Sequence, residues 1–283
     1  MRIGAHVSTS GGVQTAVDRA LSIGANCIQI FAGPPQRWAA GVFKDEDVAA
    51  FRKRSVDLDI LPVFIHSAYL INPASTDQIL RQKSMSSLLS GLQAADRLGA
   101  AGVITHLGSS KDGDLEQAER LVAGAISSVL GEAPPSARLL LETCAGQGNT
   151  IGRRFEQIGT ILARCDDPRL QVCLDTAHIF EAGYDVTSAE GLESTIEQFD
   201  RFIGLSRLAA IHVNDSKTPL SSNVDRHENI GMGLIGEDAF ARILHHPALR
   251  PLPFLLEVPG LTNEGPDRPN VETLRRLAGL PEA

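Results

Sequence analysis

Short apolar segments alternate regularly with amphipathic segments along this chain, and this alternation restricts the possible folds more than any other feature of the sequence. Each apolar segment is continuously hydrophobic, which is typical of parallel strands that are buried on both faces. Eight such strands are predicted, at Ile3–Val7, Cys27–Phe31, Pro62–His66, Gly102–His106, Arg138–Glu142, Leu170–Asp175, Leu208–Val213 and Pro253–Val258.

The segments between these strands have the apolar spacing of amphipathic helices. Gly24, Gly99 and Gly131 stand where helices are expected to end, because glycine readily adopts the left-handed conformation of a C-terminal cap. The predicted helices are Gly12–Gly24, Asp45–Leu58, Thr76–Leu98, Leu115–Leu130, Phe155–Arg164, Glu190–Ile203, Gly236–His245 and Asn270–Leu277.

Strict alternation of strand and helix predicts the α/β class with a parallel sheet, and eight such units are the number that closes a (β/α)8 barrel. A barrel of this kind takes about 250 residues, so we interpret residues 1–283 as a single TIM-barrel domain. The structural alternative is an open, doubly wound sheet. Such a sheet usually carries a glycine-rich phosphate loop after its first strand, and residues 8–12 match neither common form of that loop.

Several features predict a cytoplasmic protein. The chain has no apolar run near the length of a membrane span, and its first residues lack the basic and apolar regions of an export signal. Its four cysteines lie in apolar segments without paired spacing, which favours reduced, buried thiols. No exposed apolar repeat suggests an interface, so we expect a monomer without an obligate protein partner.

Polar residues that can bind metals end most of the predicted strands. Active sites of such barrels lie at the carboxyl ends of the strands, so these side chains are expected to converge. Histidine and carboxylate ligands suit zinc, manganese or iron. The strand-end residues are His66, His106, Glu142, Asp175, His212, Asp215 and Glu257.

Two local motifs add candidate ligands. In the first, Asp175 ends a strand and His178 is expected in the loop that follows. In the second, Asp225 and His227 are two residues apart, so both side chains face one way if the backbone is extended. A single strand-end histidine is more often an ordinary core residue, but several carboxylates buried together without nearby basic residues require counter-charge. The joint pattern therefore favours a metal centre.

Four other residues receive different interpretations. His6 ends the first strand and is expected behind the ligands rather than among them. His245 and His246 end a predicted helix, where imidazoles interact favourably with the helix dipole at the surface. Cys144 follows Glu142 closely, but cysteine is commonly a small buried apolar residue, so a structural role is expected.

Long ordered segments of the chain match one known family. They include residues 3–8, 66–72, 142–148, 173–178, 182–185, 212–217 and 224–231. On these segments the chain resembles the endonuclease IV family of apurinic/apyrimidinic endonucleases, also called AP endonuclease family 2, from its first strand to its last.

This resemblance implies three metal ions, usually zinc, with manganese or iron possible at some sites. His66 and His106 would hold the first ion, which Glu142 would bridge to the second. Asp175, His212 and Glu257 would complete the second site. The third ion would be held by His178, Asp225 and His227.

The implied activity is that of a deoxyribonuclease IV. Water activated by the metals would hydrolyse the phosphodiester bond 5′ to an abasic site in damaged double-stranded DNA, leaving 3′-hydroxyl and 5′-deoxyribose phosphate ends. Glu142 is the expected catalytic residue, and trimming of blocked 3′ ends is a related expected activity. The metal ions would leave the centre positive, which explains how a chain of net charge −8 attracts phosphate.

The resemblance also implies DNA contacts. The loop after the third strand would insert Tyr69 and Leu70 at the lesion, with Asn72 in the same loop, although these residues would otherwise simply cap the barrel. The loop after the second strand departs from the family pattern Asn-x-Arg-x-Trp. Here Arg37 is shifted by one position, which puts its role in DNA binding in doubt. Leu107 and Val258 also replace the usual residues after two ligands, but no ligand is lost.

Two other functions are compatible with the strand-end pattern. A metal-dependent sugar isomerase or epimerase would use a similar barrel, but the Asp225–His227 motif and the Tyr69–Leu70 loop argue against it. A barrel that binds damaged DNA without cutting it would not need the complete set of ligands.

Overall fold

Eight parallel strands close into a barrel in the computed structural model of this protein, which describes residues 1–41, 43–110 and 113–281. Consecutive strands are neighbours, and the last barrel strand pairs with the first, with Arg2 opposite Pro253 and Ala5 opposite Leu256. The barrel strands are β1 (Arg2–His6), β2 (Ile28–Phe31), β3 (Val63–His66), β4 (Gly102–Thr105), β5 (Leu139–Glu142), β6 (Leu170–Asp175), β7 (Leu208–His212) and β10 (Pro253–Leu256). Two short strands, β8 (Asp215–Ser216) and β9 (His227–Glu228), form a separate antiparallel pair.

Helices lie between the strands, as predicted, so the (β/α)8 fold is confirmed and the open sheet is excluded. They are α1 (Thr15–Ile23), α2 (Asp45–Asp57), α3 (Gln78–Leu98), α4 (Leu115–Glu132), α5 (Phe155–Cys165), α6 (Thr176–Ala182), α7 (Ala189–Phe202), α8 (Glu237–His245) and α9 (Arg268–Leu277). None of the helices described is long and apolar enough to cross a membrane.

Two helical predictions were wrong. His178 was expected in a loop, but it lies in α6, a helix whose first six residues are all buried and which therefore shows no amphipathic pattern. Gly131 was expected to end α4, but the helix continues to Glu132. The stop comes from Pro134, because a residue before proline avoids the helical conformation, and Ala133 is indeed extended, with ψ of 155°. Gly24 and Gly99 do cap their helices with positive φ, as predicted.

The interior of the barrel explains how the strands position a site. Side chains alternate between the two faces of a strand, so residues two apart point the same way. Seven inward residues form an apolar layer inside the barrel: Cys27, Phe64, Ile104, Leu140, Cys173, Ala210 and Leu255. Two residues further along six of these strands stand His66, His106, Glu142, Asp175, His212 and Glu257. The candidate ligands therefore form the next layer above a closed apolar floor.

Strand β1 contributes a glycine to this floor. A Cβ atom at Gly4 would lie 1.7 Å from the backbone oxygen of Cys27, so only glycine lets β1 approach β2 here. A larger apolar cluster fills the space between the outer face of the barrel and the helices, with Phe51, Phe155 and Phe240 fully buried in it. This packing fixes the strands, and hence the layer of polar side chains, in a single arrangement.

Candidate metal centre

A first group of possible ligands joins the ends of β3, β4 and β5. The Nε2 atom of His66 lies 3.1 Å from Oε2 of Glu142, and Nδ1 of His106 lies 3.5 Å from the same oxygen. His66 and Glu142 are buried, while about a third of the His106 side chain is exposed. The backbone oxygen of Ser67 accepts a hydrogen bond from Nδ1 of His66 at 2.8 Å, which leaves Nε2 free to bind a metal.

A second group lies beside the first and shares Glu142 with it. Nδ1 of His212 lies 2.9 Å from Oε1 of Glu142, 3.2 Å from Oε2 of Glu257 and 3.8 Å from Oδ2 of Asp175. Asn214 braces two of these residues. Its Nδ2 donates to Oδ2 of Asp175, and its Oδ1 accepts from the backbone N–H of Glu257, each at 2.7 Å.

A third group lies toward the mouth of the barrel. Nε2 of His178 lies 3.3 Å from Oδ2 of Asp225 and 3.3 Å from Nε2 of His227. Asp175 also reaches this group, with its Oδ2 3.7 Å from Nε2 of His227. Helix α6 aims His178, because Asp175 caps the helix by accepting the backbone N–H of His178, and the ring donates from Nδ1 to the Thr143 carbonyl at 2.8 Å.

The spacing within these groups fits one metal ion in each. Two ligand atoms that each lie about 2.0–2.2 Å from a zinc ion are at most about 4.4 Å apart. The pairs of ligand atoms described above are 2.9–3.8 Å apart, within this limit. Three sets of residues each bring one ligand atom per residue to within 4.8 Å of the others: His66, His106 and Glu142; Glu142, Asp175, His212 and Glu257; and Asp175, His178 and His227.

The charges of the centre also call for cations. Glu142 and Asp175 are fully buried. Among the described residues, the ion pairs within 4 Å that involve the carboxylates of the centre are all with histidine, and none is with lysine or arginine. These carboxylates are Glu142, Asp175, Asp225 and Glu257. Burial alone would raise the pKa of Glu142, but His106, His212 and His66 overcome this effect and hold its pKa well below the usual value. Uncompensated buried carboxylates would be strongly destabilising.

The histidines respond in the opposite sense. Burial lowers the pKa of His178, but Asp175, Asp225 and Glu142 outweigh that effect and raise it well above the usual value. Burial also lowers the pKa of His212, but Cys173, Glu257 and Glu142 outweigh this effect, so the pKa is raised well above the usual value. Without metal, protons on these rings supply the positive charge that the carboxylates require. Imidazole and carboxylate donors in this arrangement suit zinc, manganese or iron, so the donor set fits a metal-binding centre.

Asp225 and His227 reach the centre from the β8–β9 pair. His227 lies in β9, opposite Ser216, so the local backbone is extended as the motif required. Glu181 of α6 holds this segment, because its Oε1 accepts from the Ser216 hydroxyl at 2.7 Å and from the backbone N–H of Arg226 at 3.1 Å. Burial raises the pKa of Glu181.

Asp215 was expected among the possible ligands, and this interpretation was wrong. Its carboxylate is fully buried and turned away from the metal groups, because it accepts hydrogen bonds from a ring of backbone N–H groups. The donors are Ser216, Gly231, Gly233, Ile235 and Gly236, at 2.8–3.4 Å. Asp215 therefore shapes the loop of residues 231–236 rather than binding a metal.

Tyr69 and Leu70 stand at the rim of the centre. Tyr69 is 65% exposed and Leu70 38% exposed, although both are large and apolar. The Tyr69 ring lies edge-on to Phe31, with 5.3 Å between the ring centroids, and its backbone N–H donates to the carbonyl of Pro35. Tyr69 and His66 line an open cavity of about 820 Å³ above the ligands.

The other two predicted DNA contacts, Asn72 and Arg37, lie in different environments: Asn72 bridges two loops and Arg37 is exposed. Asn72 pairs with the neighbouring loop, because its Oδ1 accepts from the backbone N–H of Ser109 and its Nδ2 donates to the Ser109 carbonyl. This side chain braces the two loops. Arg37 is exposed beside Trp38 in the turn after β2. Their contacts with DNA stay predictions.

The residues behind the ligands were partly foreseen. His6 does lie there, with Nδ1 3.3 Å from Oε1 of Glu257. Cys144 packs with its sulfur 3.5 Å from Nδ1 of His106, and burial raises its pKa to about 12. Gln29 and Glu181 were missed. Gln29 is the one polar residue of β2, and that was its signal in the sequence, whereas Glu181 shares α6 with Thr176 and His178 and showed no such signal.

This chain is similar in sequence to proteins described as endonuclease 4 or endonuclease IV. A family model described as a xylose isomerase-like TIM barrel matches residues 17–278. The probable endonuclease 4 of Halothermothrix orenii is 40% identical over 277 residues, which are 98% of this chain and all of that protein. The crystal structure of endonuclease IV from Thermus thermophilus is 35% identical and covers 99% of both chains, with a TM-score of 0.86.

The barrel itself is more widely shared. A D-tagatose 3-epimerase-like protein superposes with a TM-score of 0.71, covering 99% of this chain and 96% of its own, at 13% identity. At that identity the likeness concerns the fold alone. Sequence and structure therefore agree on one family, whose barrel is also found in a protein of low sequence identity.

Proposed function

This chain belongs to the endonuclease IV family of DNA-repair endonucleases, and from that membership we propose that it hydrolyses the phosphodiester bond 5′ to abasic sites in duplex DNA. The products would be a 3′-hydroxyl and a 5′-deoxyribose phosphate, as for a deoxyribonuclease IV, and the same centre would trim blocked 3′ ends. The observation that carries the proposal is the set of three contiguous ligand groups, linked by Glu142 and Asp175, on the floor of an open cavity.

The ligand groups would hold three divalent ions, which by donor type are zinc, with manganese or iron at some sites. His66 and His106 would hold the first, sharing Glu142 with the second, which Asp175, His212 and Glu257 would complete. His178, Asp225 and His227 would hold the third. When bound, such ions lower the pKa of coordinated water and stabilise charge that develops on a phosphate.

The protein's own side chains would fix the geometry of the reaction. Glu142 directs Oε2 toward His66 and Oε1 toward His212, so a single fully buried carboxylate holds the first and second groups at a constant separation. Reactions in which attacking water and phosphate are held in register gain rate from that orientation. The apolar floor excludes solvent from below, so water and substrate would enter from the open cavity.

The exposed pair Tyr69 and Leu70 would recognise the lesion. Large apolar side chains at a rim are unfavourable in water unless a partner covers them. They would fill the gap left in duplex DNA when the abasic nucleotide turns into the cavity. Such a nucleotide has no base to unstack, so moving it costs less than moving an intact one, and selectivity follows.

The rival sugar isomerase or epimerase would use two carboxylates and two histidines around one or two metals. The third ligand group, at the mouth, and the exposed Tyr69–Leu70 rim both favour a large polymeric substrate instead. Binding of damaged DNA without cleavage would leave the buried carboxylates of the centre without a role.

Replacement of Glu142 by glutamine tests the proposal. Glu142→Gln keeps the size of the side chain but removes the charge shared by the first two groups, so nicking of an abasic duplex should fall by about 10²–10³-fold or more. Glu132→Gln, an exposed change at the end of α4, is the matched control and should cleave normally. Near-normal nicking by a folded Glu142→Gln protein would refute the proposed centre.

A further inference from the structure

One polar side chain that belongs to no ligand group lies beside the second group, in the same layer of the barrel as the candidate ligands. Gln29 is the second residue of β2, two residues beyond Cys27 in the apolar floor, and it is completely buried. Its strand contributes none of the predicted metal ligands. A buried amide is unfavourable unless all of its hydrogen-bonding groups find partners.

Both polar atoms of the Gln29 side chain form hydrogen bonds with residues of the centre. Its Oε1 lies 2.8 Å from Nε2 of His212. Its Nε2 donates to Oε1 of Glu257 at 2.5 Å and lies 3.0 Å from Nδ1 of His6. This pattern fixes the orientation of the amide, because the reverse orientation would set its carbonyl oxygen against the Glu257 carboxylate.

The orientation of the amide determines which nitrogen of His212 carries hydrogen. The carbonyl oxygen of Gln29 can only accept, so Nε2 of His212 must donate to it. The lone pair is then left on Nδ1 when the ring is neutral. Nδ1 is the atom that faces Glu142, Glu257 and Asp175 at 2.9–3.8 Å.

His212 differs in this respect from the other buried histidines of the centre. In His66 and His178 a backbone carbonyl accepts from Nδ1, so Nε2 is the free nitrogen. A backbone acceptor is present whatever the side chain is. In His212 the ring is reversed, and its acceptor is a side chain contributed by a strand 183 residues away in sequence.

We infer that Gln29 is a positioning residue of the metal centre, which holds His212 with Nδ1 toward the second ligand group and turns Oε2 of Glu257 toward the same group. This inference rests on the metal centre proposed above. Partners that orient metal-binding histidines typically change metal affinity by about 10–100-fold when they are removed. The effect should fall on the second group, because Gln29 contacts two of its four members and none of the residues particular to the other groups.

Zinc binding by Gln29→Met provides the first test. Methionine has a similar shape but neither accepts strongly nor donates, so His212 and Glu257 lose their common partner. Competition of zinc against a chromophoric chelator should show one equivalent weakened by about 10–100-fold and the others unchanged. Gln171→Met is the matched control, because Gln171 lies in β6 outside the metal groups, and it should bind like the parent.

Two outcomes separate the inference from the proposal on which it rests. If the parent protein binds no zinc, the metal centre itself is wrong. If the parent binds zinc and Gln29→Met binds every equivalent within about twofold of it, the centre stands and the role of Gln29 is refuted.

The tautomer gives a test that does not depend on the folding of a variant. Long-range ¹H–¹⁵N spectra of the zinc-loaded parent, labelled at histidine, report which ring nitrogen carries hydrogen. The His212 signals, assigned by through-bond and through-space connectivities in the parent, should show a protonated Nε2 and a metal-bound Nδ1. A metal-bound Nε2 on His212 would overturn the inference.

Discussion

Replacing Asp215 by asparagine should destabilise the protein by about 3 kcal/mol. Both carboxylate oxygens are occupied by backbone N–H groups, one from Ser216 in β8 and four from the loop of residues 231–236 after β9, with two donors on Oδ1 and three on Oδ2. Asparagine keeps one carbonyl oxygen but has an NH₂ group in place of the other carboxylate oxygen, and this group cannot accept from the two or three N–H donors that face it. At least two hydrogen bonds to a charged acceptor are then lost, and each contributes about 1.5–3 kcal/mol.

The lower value is appropriate because the bonds share one carboxylate and are not additive. With a urea dependence of about 3 kcal/mol/M, the loss lowers the unfolding midpoint by about 1 M. Unfolding should be followed by circular dichroism with a chelator present in all samples, so that metal binding does not mask the difference. Asp166→Asn is the control, because Asp166 is exposed and has φ of 46°, a conformation that asparagine tolerates. Equal midpoints for Asp215→Asn and the control would refute this reasoning.

Two further changes test the rim and the support of the third ligand group. Tyr69→Ala should weaken binding of an abasic duplex by about 5–150-fold, which corresponds to the loss of one aromatic stacking contact. The midpoint of unfolding should not change. The control is Ile79→Ala, which is equally exposed on α3 and should bind the duplex as the parent does. Unchanged DNA binding by Tyr69→Ala would exclude the proposed insertion. Glu181→Ala should selectively lower the zinc affinity of the third group, because the backbone N–H of Arg226 loses its acceptor. Glu181→Gln keeps a carbonyl oxygen there and should retain most of that affinity. Equal zinc affinity in the parent and both variants would contradict the support role of Glu181.

Much of the fold was predictable because each barrel strand is a local, continuously apolar segment followed by an amphipathic one. The candidate ligands were identifiable for a related reason. Six of the nine occupy the same position in the barrel strands, two residues above the apolar floor, so a pattern along the sequence indicates a layer in the structure. The other three, His178, Asp225 and His227, were identified from the two local motifs. That residues 1–283 form one domain stays a prediction.

The missed features depend on long-range partners or on burial without a pattern. Helix α6 is short and buried on all sides, so no apolar stripe distinguished it from a loop. Asp215 resembles a ligand in sequence, and only the fold of residues 231–236 shows that backbone groups occupy its carboxylate. Gln29 stands alone among apolar residues, and its partners lie in β1, in β7 and just after β10.

We propose that this barrel uses bound metal to cut DNA at abasic sites. The most direct measurement follows incision of a duplex with one abasic site while zinc is returned to the metal-stripped protein, with a ketose sugar offered in parallel. We expect no incision without zinc, and with zinc a break on the 5′ side of the lesion that leaves a 3′-hydroxyl, without turnover of the sugar. Sugar turnover without a break, or incision that is insensitive to metal removal, would contradict the account.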